Sequence, residues 1–475
     1  MQKNTDSAVS LPSISSRTDI TDTITVTGSQ STSIGGITFG SKEVRKALVH
    51  SLWDGIFSNG MLALTETFSI AGAVFLNAPA IAIALLGSFP LLLSSIGQLI
   101  LPWCTKKSET RKKYVLRGIL SQSFFLAVLA FCGFFPEHIR SWSYVFIFSL
   151  YGFSGNVVSG LWIAWMGDLV PKEFRGRHFA WRNRFFSFTQ LICTLIAGFF
   201  LKEYSTGNAT WVLFTIVFLL AAFFRLCSSC MMYLQLEPPV TKCSIPVNFR
   251  NVIKNKVFVH YCLAAALMQG TVAVAGPFFN VWYIRDLKFD YFTLAIASAA
   301  TVLGTISALP VWGRLADSIG NRRVILFTGF LICTVPLPYL ISSHPWHIWV
   351  LNYYTGFCWS GYNLGNFNYL LLASGKNRPE ISISFSVAVN GVSVFIFSMI
   401  GGYLSHNLPH IFAWQLQSLF LLSAILRFVI FGAFFSKFKS YELEKGKATD
   451  LFFQIPGYRG GLGVLRNAFR AFRAK

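Results

Sequence analysis

Phe218-Leu-Leu-Ala-Ala-Phe-Phe-Arg225 returns 202 residues later as Phe420-Leu-Leu-Ser-Ala-Ile-Leu-Arg427, and both lie in long apolar runs. The openings of two other runs echo one another as well. Val49-His50 and Val259-His260 keep the same spacing to Asn59-Gly60 and Gln269-Gly270. Similarity over such a distance, carried by whole runs, predicts a chain of two related halves with six apolar segments in each. We place the segments near 48–76, 79–103, 114–135, 142–166, 179–201, 210–234, 256–284, 290–312, 322–343, 346–373, 380–405 and 411–437. Each is about 20 residues or longer, enough to cross the hydrocarbon core as a helix. Helices satisfy every backbone group within the segment, and the runs are too long and uniformly apolar for barrel strands. The predicted fold is an all-α polytopic membrane protein, twelve transmembrane helices arranged as two six-helix bundles.

Composition agrees, with 53% hydrophobic and 12% charged residues. A soluble domain carries about 25% charge. The excess of Lys and Arg alternates between loops: 106–113 and 172–184 are rich in both, whereas the intervening loops hold little more than Arg140, Lys202, Arg285 and Lys288. Basic residues stay on the cytoplasmic side of short loops, so both termini are expected there. The net charge of +21 then reflects topology and contact with anionic membrane lipid, with nothing else in favour of nucleic acid. Residues 1–46 read as a disordered tail rich in Ser and Thr, 47–234 as the first bundle, 235–255 as a polar linker, 256–437 as the second bundle and 438–475 as a basic tail. Within that last tail, Leu465, Phe469 and Phe472 share a helical face, which suits a membrane-surface helix or a solvated basic segment. The nine cysteines are scattered without metal-ligand spacing, so neither a metal nor another cofactor is expected.

The loop after the eighth segment reads Gly313-Arg-Leu-Ala-Asp317-Ser-Ile-Gly320-Asn-Arg322-Arg323. It resembles the G-x-x-x-D-x-x-G-R/N-R/K signature of the major facilitator superfamily. The resemblance implies a cytoplasmic gate that stabilises the outward-facing state, with Gly313 allowing close helix approach and Asp317 meeting the N-terminus of span eleven and a basic residue. The first-half counterpart, Gly97 to Lys106, keeps the glycine and basic residues and lacks the aspartate. After the fourth segment, Asp168-Leu-Val-Pro171-Lys-Glu-Phe-Arg175-Gly176-Arg177 is similar to the D-x-x-P-x-x-x-R-G-R pattern of the same superfamily. Asp168 near a helix C-terminus requires a cation such as Arg175, Arg177 or Arg182.

Ionisable groups inside spans are costly and so point to function. Span one holds Asp54 and Glu66, and the repeat pairs Asp54 with Ala264. Both acids are proton-coupling candidates, Glu66 being the deeper; Asp54 could instead pair with a loop arginine as a latch. Arg225 and Arg427 repeat between halves and read as scaffold, snorkelling to the headgroups. In span ten, Thr355, Trp359, Tyr362, Asn366 and Tyr369 recur at helical spacing, and aligning Gly152 with Gly356 matches Ser159 and Trp162 to Asn363 and Asn366. The superfamily resemblance turns spans one, four, seven and ten toward a central cavity, adding Asn59 and Gln269, so these residues form a candidate solute wall or else an aromatic packing seam. Rings beside carboxamides suit a small organic solute.

No nucleotide-cradling loop and no nucleophile–base set is visible, so the chain does not read as a pump or an enzyme. The expected function is secondary active transport of a small organic solute, proton-coupled, by a monomer in a bacterial inner membrane. An uncoupled facilitator or a non-transporting receptor or assembly factor on the same fold are the alternatives.

Overall fold

The computed structural model describes residues 33–34, 37–38, 42–104, 110–169, 175–205, 210–237, 249–373 and 379–435. Most of both predicted tails, including 464–475, and the middle of the linker lie outside the described residues. Ahead of the helices, Ser33–Ile34 pairs antiparallel with Ile37–Thr38.

The first half contains α1 (Lys42–Glu66), α2 (Ser69–Phe75), α3 (Ala80–Cys104), α4 (Lys112–Ala130), α5 (Glu137–Leu169), α6 (Arg175–Tyr204) and α7 (Thr210–Leu234). A short α8 (Phe249–Lys254) precedes the second half: α9 (Lys256–Ala273), α10 (Gly276–Val281), α11 (Tyr291–Ile319), α12 (Asn321–Thr334), α13 (Pro345–Ala373), α14 (Pro379–Asn407) and α15 (Gln415–Phe434). Among the described residues ten helices are long and apolar enough to cross a membrane. The other two predicted spans are helical, as α1–α2 and α13, but are more polar. Asp54, Ser58, Asn59 and Glu66 interrupt the first; Asn352, Thr355, Asn363, Asn366 and Asn368 interrupt the other. The polar groups that disqualify a helix as a simple lipid-facing span are the ones that make it a candidate lining of an internal space.

The repeat is visible in the packing. α1 lies against α7 and α6, as α9 lies against α15 and α14; α3 packs on α5, as α11 packs on α13. The halves meet along two reciprocal seams, α14 on α3 and α6 on α11. At α11–α13 the approach is backbone to backbone. A Cβ at Gly356 would lie 2.0 Å from the Thr301 carbonyl oxygen, and one at Gly304 would lie 2.1 Å from that of Tyr353. Small residues at such crossings allow tight packing where lipid supplies no hydrophobic drive between helices.

Both leading helices break in their distal parts, distal meaning opposite the end where α1 begins. α1 stops at Glu66 and the chain resumes as α2; α9 stops at Ala273 and resumes at Gly276-Pro277, where proline interrupts the backbone ladder. The two short distal segments, α2 and α10, touch each other across the halves, with Pro277 against Gly87 of α3. At the same end the Lys202 ammonium at the close of α6 lies 3.4 Å from the Asp290 carboxylate that caps α11. The α6–α11 seam is close there, since a Cβ at Gly198 would come 2.3 Å from that of Ala295.

Candidate functional site

Asp54, Ser58, Met61 and Thr65 fall at i, i+4, i+7 and i+11, one stripe along α1. The stripe faces α5, α6 and α7, and what it meets there is polar. The Ser228 hydroxyl donates to Asp54 Oδ1 at 2.6 Å, and Arg182 Nη2 lies 3.8 Å from Asp54 Oδ2. Arg225 Nη1 donates to Ser58 Oγ at 2.9 Å and to Ser228 Oγ at 3.2 Å. Arg182 also donates through Nε to the Ser51 carbonyl, and its guanidinium stacks over Trp162 at 4.6 Å and Phe186 at 4.4 Å. Asp54, Arg182 and Arg225 are 4%, 3% and 8% exposed. Two cations thus share one anion in a low-dielectric setting, where a lone charge would be prohibitive and hydrogen-bonded pairing is required. Further along the stripe, Tyr151 of α5 donates to Met61 Sδ at 3.2 Å.

Glu66 is placed differently. It is exposed, with the fully buried Tyr144 and Tyr151 beside it. Among the described residues no Lys or Arg forms a salt bridge with it. Across the repeat, at the offset of 210 that relates Asn59 to Gln269, Glu66 corresponds to Gly276. Gly276 is exposed, and a Cβ there would meet no atom within 4 Å.

The predicted solute wall divides. Asn363 is exposed, and Asn59, Ser159, Trp162, Gln269, Trp359 and Asn366 are half-buried. Several turn their polar groups inward: Asn59 donates to the Gly55 carbonyl and Ser159 to that of Asn156, each within its own helix, while Asn366 accepts from the Tyr261 hydroxyl. Trp162 is the platform for Arg182. Tyr369 is buried against Tyr261, ring centroids 4.1 Å apart, and Trp359 stands edge-on to Tyr362. Tyr362 is fully buried with its hydroxyl unpaired. Packing accounts for Tyr362 and Tyr369, whereas Asn363, Trp359 and Gln269 retain accessible surface.

At the gate motif, Gly320 ends α11 with φ 88°, a conformation natural to glycine. Asp317 is exposed, and among the described residues a Cβ at Gly313 would meet nothing within 4 Å; the side chains at the start of α14, where the expected contact falls, lie outside the described residues. Arg322 and Arg323 are half-buried and engaged with neighbours. The side chains of Asp168, Arg175 and Arg177 lie outside the described residues.

Arg225 and Arg427 do not snorkel. Arg427 is 2% exposed, donating to Ser423 Oγ and the Ile332 carbonyl. The repeat reproduces the arginine and omits its acid, since Ala264 stands where Asp54 would. Sequence reasoning assigned Arg182 to the loop below α5 and overlooked Ser58, Ser228 and Tyr151. The stripe spacing along α1 was the available signal for Ser58.

The arrangement of two pseudo-equivalent helical halves agrees with the comparisons. A mutant of the nucleoside transporter NupG superposes with TM-score 0.64 at 12% identity, covering 82% of this chain and all of that one. A D-xylose-proton symporter gives 0.61 at 13%, covering 84% and 97%. The xylose transporter XylE from E. coli, in a partially occluded inward-open conformation, gives 0.58 at 12%, covering 83% and 98%. No curated protein matches the sequence. The Major Facilitator Superfamily profile matches residues 54–272 and again 261–467, nearly the whole helical region in two copies. The chain is an integral membrane transporter that belongs to the major facilitator superfamily.

Proposed function

We propose that this transporter moves a small organic solute by alternating access between its two halves, twelve spans in all, and that protons drive it through Glu66. The carrying observation is the placement of Glu66: a carboxylate in the first span with accessible surface, beside buried tyrosines and, among the described residues, without a salt-bridging cation. A carboxyl so placed can bind a proton from whichever side water enters and release it to the other. Asp54, held by Ser228, Arg182 and the nearby Arg225, suits the role of a latch between α1, α6 and α7 rather than that of a carrier. Asn363, Trp359 and Gln269 are the solute contacts we favour, on their residual accessibility.

With the termini on the cytoplasmic side of a bacterial inner membrane, the distal end faces outward. The α2–α10 contact and the Lys202–Asp290 pair support a reading in which the outer side is closed and the inner gate released. The neighbours' printed substrates, nucleosides and xylose, are the first solutes to try. Purified protein in liposomes should accumulate one of a panel of labelled nucleosides and pentoses under an imposed pH gradient. Glu66→Gln, which keeps hydrogen-bonding shape and cannot release a proton, should lose that accumulation and keep solute exchange at equal pH. Undiminished pH-driven uptake in Glu66→Gln would sink the assignment.

A further inference from the structure

The first turns of α4 and the last turns of α7 part to leave a groove of about 360 Å³, lined by Leu116 and Leu120 on one side and Ser229, Cys230, Tyr233 and Leu234 on the other. Leu120, Tyr233 and Leu234 are 48%, 66% and 55% exposed, and the Ser229 hydroxyl is taken up by the Leu226 carbonyl at 2.7 Å. The walls therefore offer apolar surface, with the Tyr233 phenol the polar exception. The repeat shows that this groove is particular to the first half. An offset of 210 aligns Lys112-Lys113 with Arg322-Arg323 and brings the buried positions of α4 into register with those of α12, Val115 with Ile325 and Ile119 with Gly329. It sets Leu120 against Phe330, while the offset of 202 sets Leu226 and Ser229 against Phe428 and Phe431. Those three rings close on one another in the second half, Phe330 lying 5.9 Å from Phe428 and 6.2 Å from Phe431. Leucines and a serine at the same places leave the space open.

Cations rim the groove at its α4 end. Lys113, Leu116, Arg117 and Leu120 follow i, i+3, i+4, i+7, a single helical face that passes from charge to hydrocarbon within about two turns. Lys113 and Arg117 are exposed, and among the described residues neither forms a salt bridge. The Lys112 ammonium lies 5.2 Å from the centre of the Tyr233 ring and donates to the Gln235 carbonyl at 3.0 Å. Glu237 is turned to the backbone, accepting from the N–H groups of Arg111 and Lys112, so its charge compensates the start of α4.

We propose that the α4–α7 groove binds one anionic phospholipid of the cytoplasmic leaflet, its phosphate held by Lys113 and Arg117 and one acyl chain laid along Leu116, Leu120 and Cys230. The occupant follows from the two features together. A cationic mouth alone would suit a soluble phosphate, and an apolar slot alone would suit any lipid tail. An amphiphile with a negative head and a hydrocarbon tail satisfies both, and the leaflet that meets the basic loops presents it head first to the start of α4. Phe124, 63% exposed and one turn beyond Leu120, continues the path toward the membrane centre. The site stands where α7 passes into the linker between the halves, and it is independent of the part played by Glu66.

The test uses full-length protein purified in detergent and titrated with phosphatidylglycerol or phosphatidylcholine carrying the same palmitoyl and oleoyl chains. Native mass spectrometry counts bound lipid. Maleimide labelling of Cys230, an exposed free thiol in the groove, is followed on its own peptide and reports where the lipid sits. Phosphatidylglycerol should be retained as one molecule and slow Cys230 labelling at concentrations where phosphatidylcholine does neither. A basic residue at an anionic surface contributes about fivefold, so Lys113→Gln combined with Arg117→Gln should weaken phosphatidylglycerol binding by about 25-fold. Ser229→Phe, which installs the ring that the second half carries at Phe431, should abolish protection of Cys230. Should Ser229→Phe fail to fold, the double variant, altered only at exposed positions, decides. Equal protection by phosphatidylcholine, or parent affinity in the double variant, overturns the proposal. So does phosphatidylglycerol that binds while Cys230 is labelled at its lipid-free rate, since that lipid lies elsewhere.

Discussion

Asp54 shows what a single carboxylate does when two guanidiniums depend on it. Removing it as Asp54→Ala leaves Arg182 and Arg225 buried without an anion, and breaking a buried pair from one side costs about 3–5 kcal/mol. Thermal melting in detergent should show a large loss for Asp54→Ala. Asp54→Ala combined with Arg182→Met should cost clearly less than the sum of the single changes, because the second removes a charge the first has orphaned; additive losses would argue that the 3.8 Å contact carries no coupling. Tyr362 offers the opposite case. Its unpaired buried hydroxyl is a liability of about 1–3 kcal/mol, so Tyr362→Phe should leave melting unchanged or raise it. A clear drop would show that the hydroxyl has a partner, and solute would be the first candidate.

Among the elements, α11 is fixed at one end by charge and along its length by contact with α13. At its start Asp290 accepts from the Thr293 backbone N–H at 2.7 Å and faces Lys202 across the seam. Burial alone would push the Asp290 carboxyl up, but the Thr293 hydrogen bond and the Lys202 ammonium outweigh it and hold it below the usual carboxylate range. A carboxyl lowered on folding adds stability above its unfolded value, about pH 3.9, and that contribution fades as pH falls through the lower folded value. Acidification toward pH 3 should therefore increase labelling of a cysteine at Phe292 in the parent, and Asp290→Ala should be labelled readily at pH 7 as well. Both ends of the pair are partly solvated, so high salt should weaken it. Along α11–α13 sterics decide. Gly356→Val drives a branched side chain into the Thr301 carbonyl and should prevent folding, whereas Gly432→Ala, with nothing within 4 Å of its Cβ, should melt like the parent.

For the molecule as a whole the question is which arrangement of the halves is held, and the gate motif bears on it most directly. Asp317 is exposed, and among the described residues nothing lies within 4 Å of a Cβ at Gly313; under the gate reading proposed above the motif acts in the other state. Asp317→Asn should therefore spare the arrangement described here and weaken the outward-facing one by about 0.3–2 kcal/mol, the worth of a carboxylate at a helix N-terminus. Labelling of hollow-facing cysteines from the outer side should fall in the mutant; equal labelling would detach Asp317 from gating.

The apolar runs, their repeat and the alternation of basic loops were legible in the sequence because hydrocarbon imposes its demands locally, on every 20-residue segment. Helix existence and the special polarity of the first and tenth spans followed from that. A loop arginine as partner of Asp54 was one of the alternatives there, but which arginine, and the parts of Ser58 and Ser228, were not legible. Arg182 reads as one more basic residue at a helix start, and nothing near it names Asp54, because the contact depends on how α6 tilts against α1. Tyr362 and Tyr369 share a helical face with Trp359 and Asn366, yet which part of that face is packed and which keeps accessible surface depends on the neighbouring helices. One-dimensional patterning fixes which residues a helix presents together. Only tertiary packing decides whether that face meets protein, lipid or water, and so why Asp54 is buried in an ion pair while Glu66, on the same helix, keeps accessible surface.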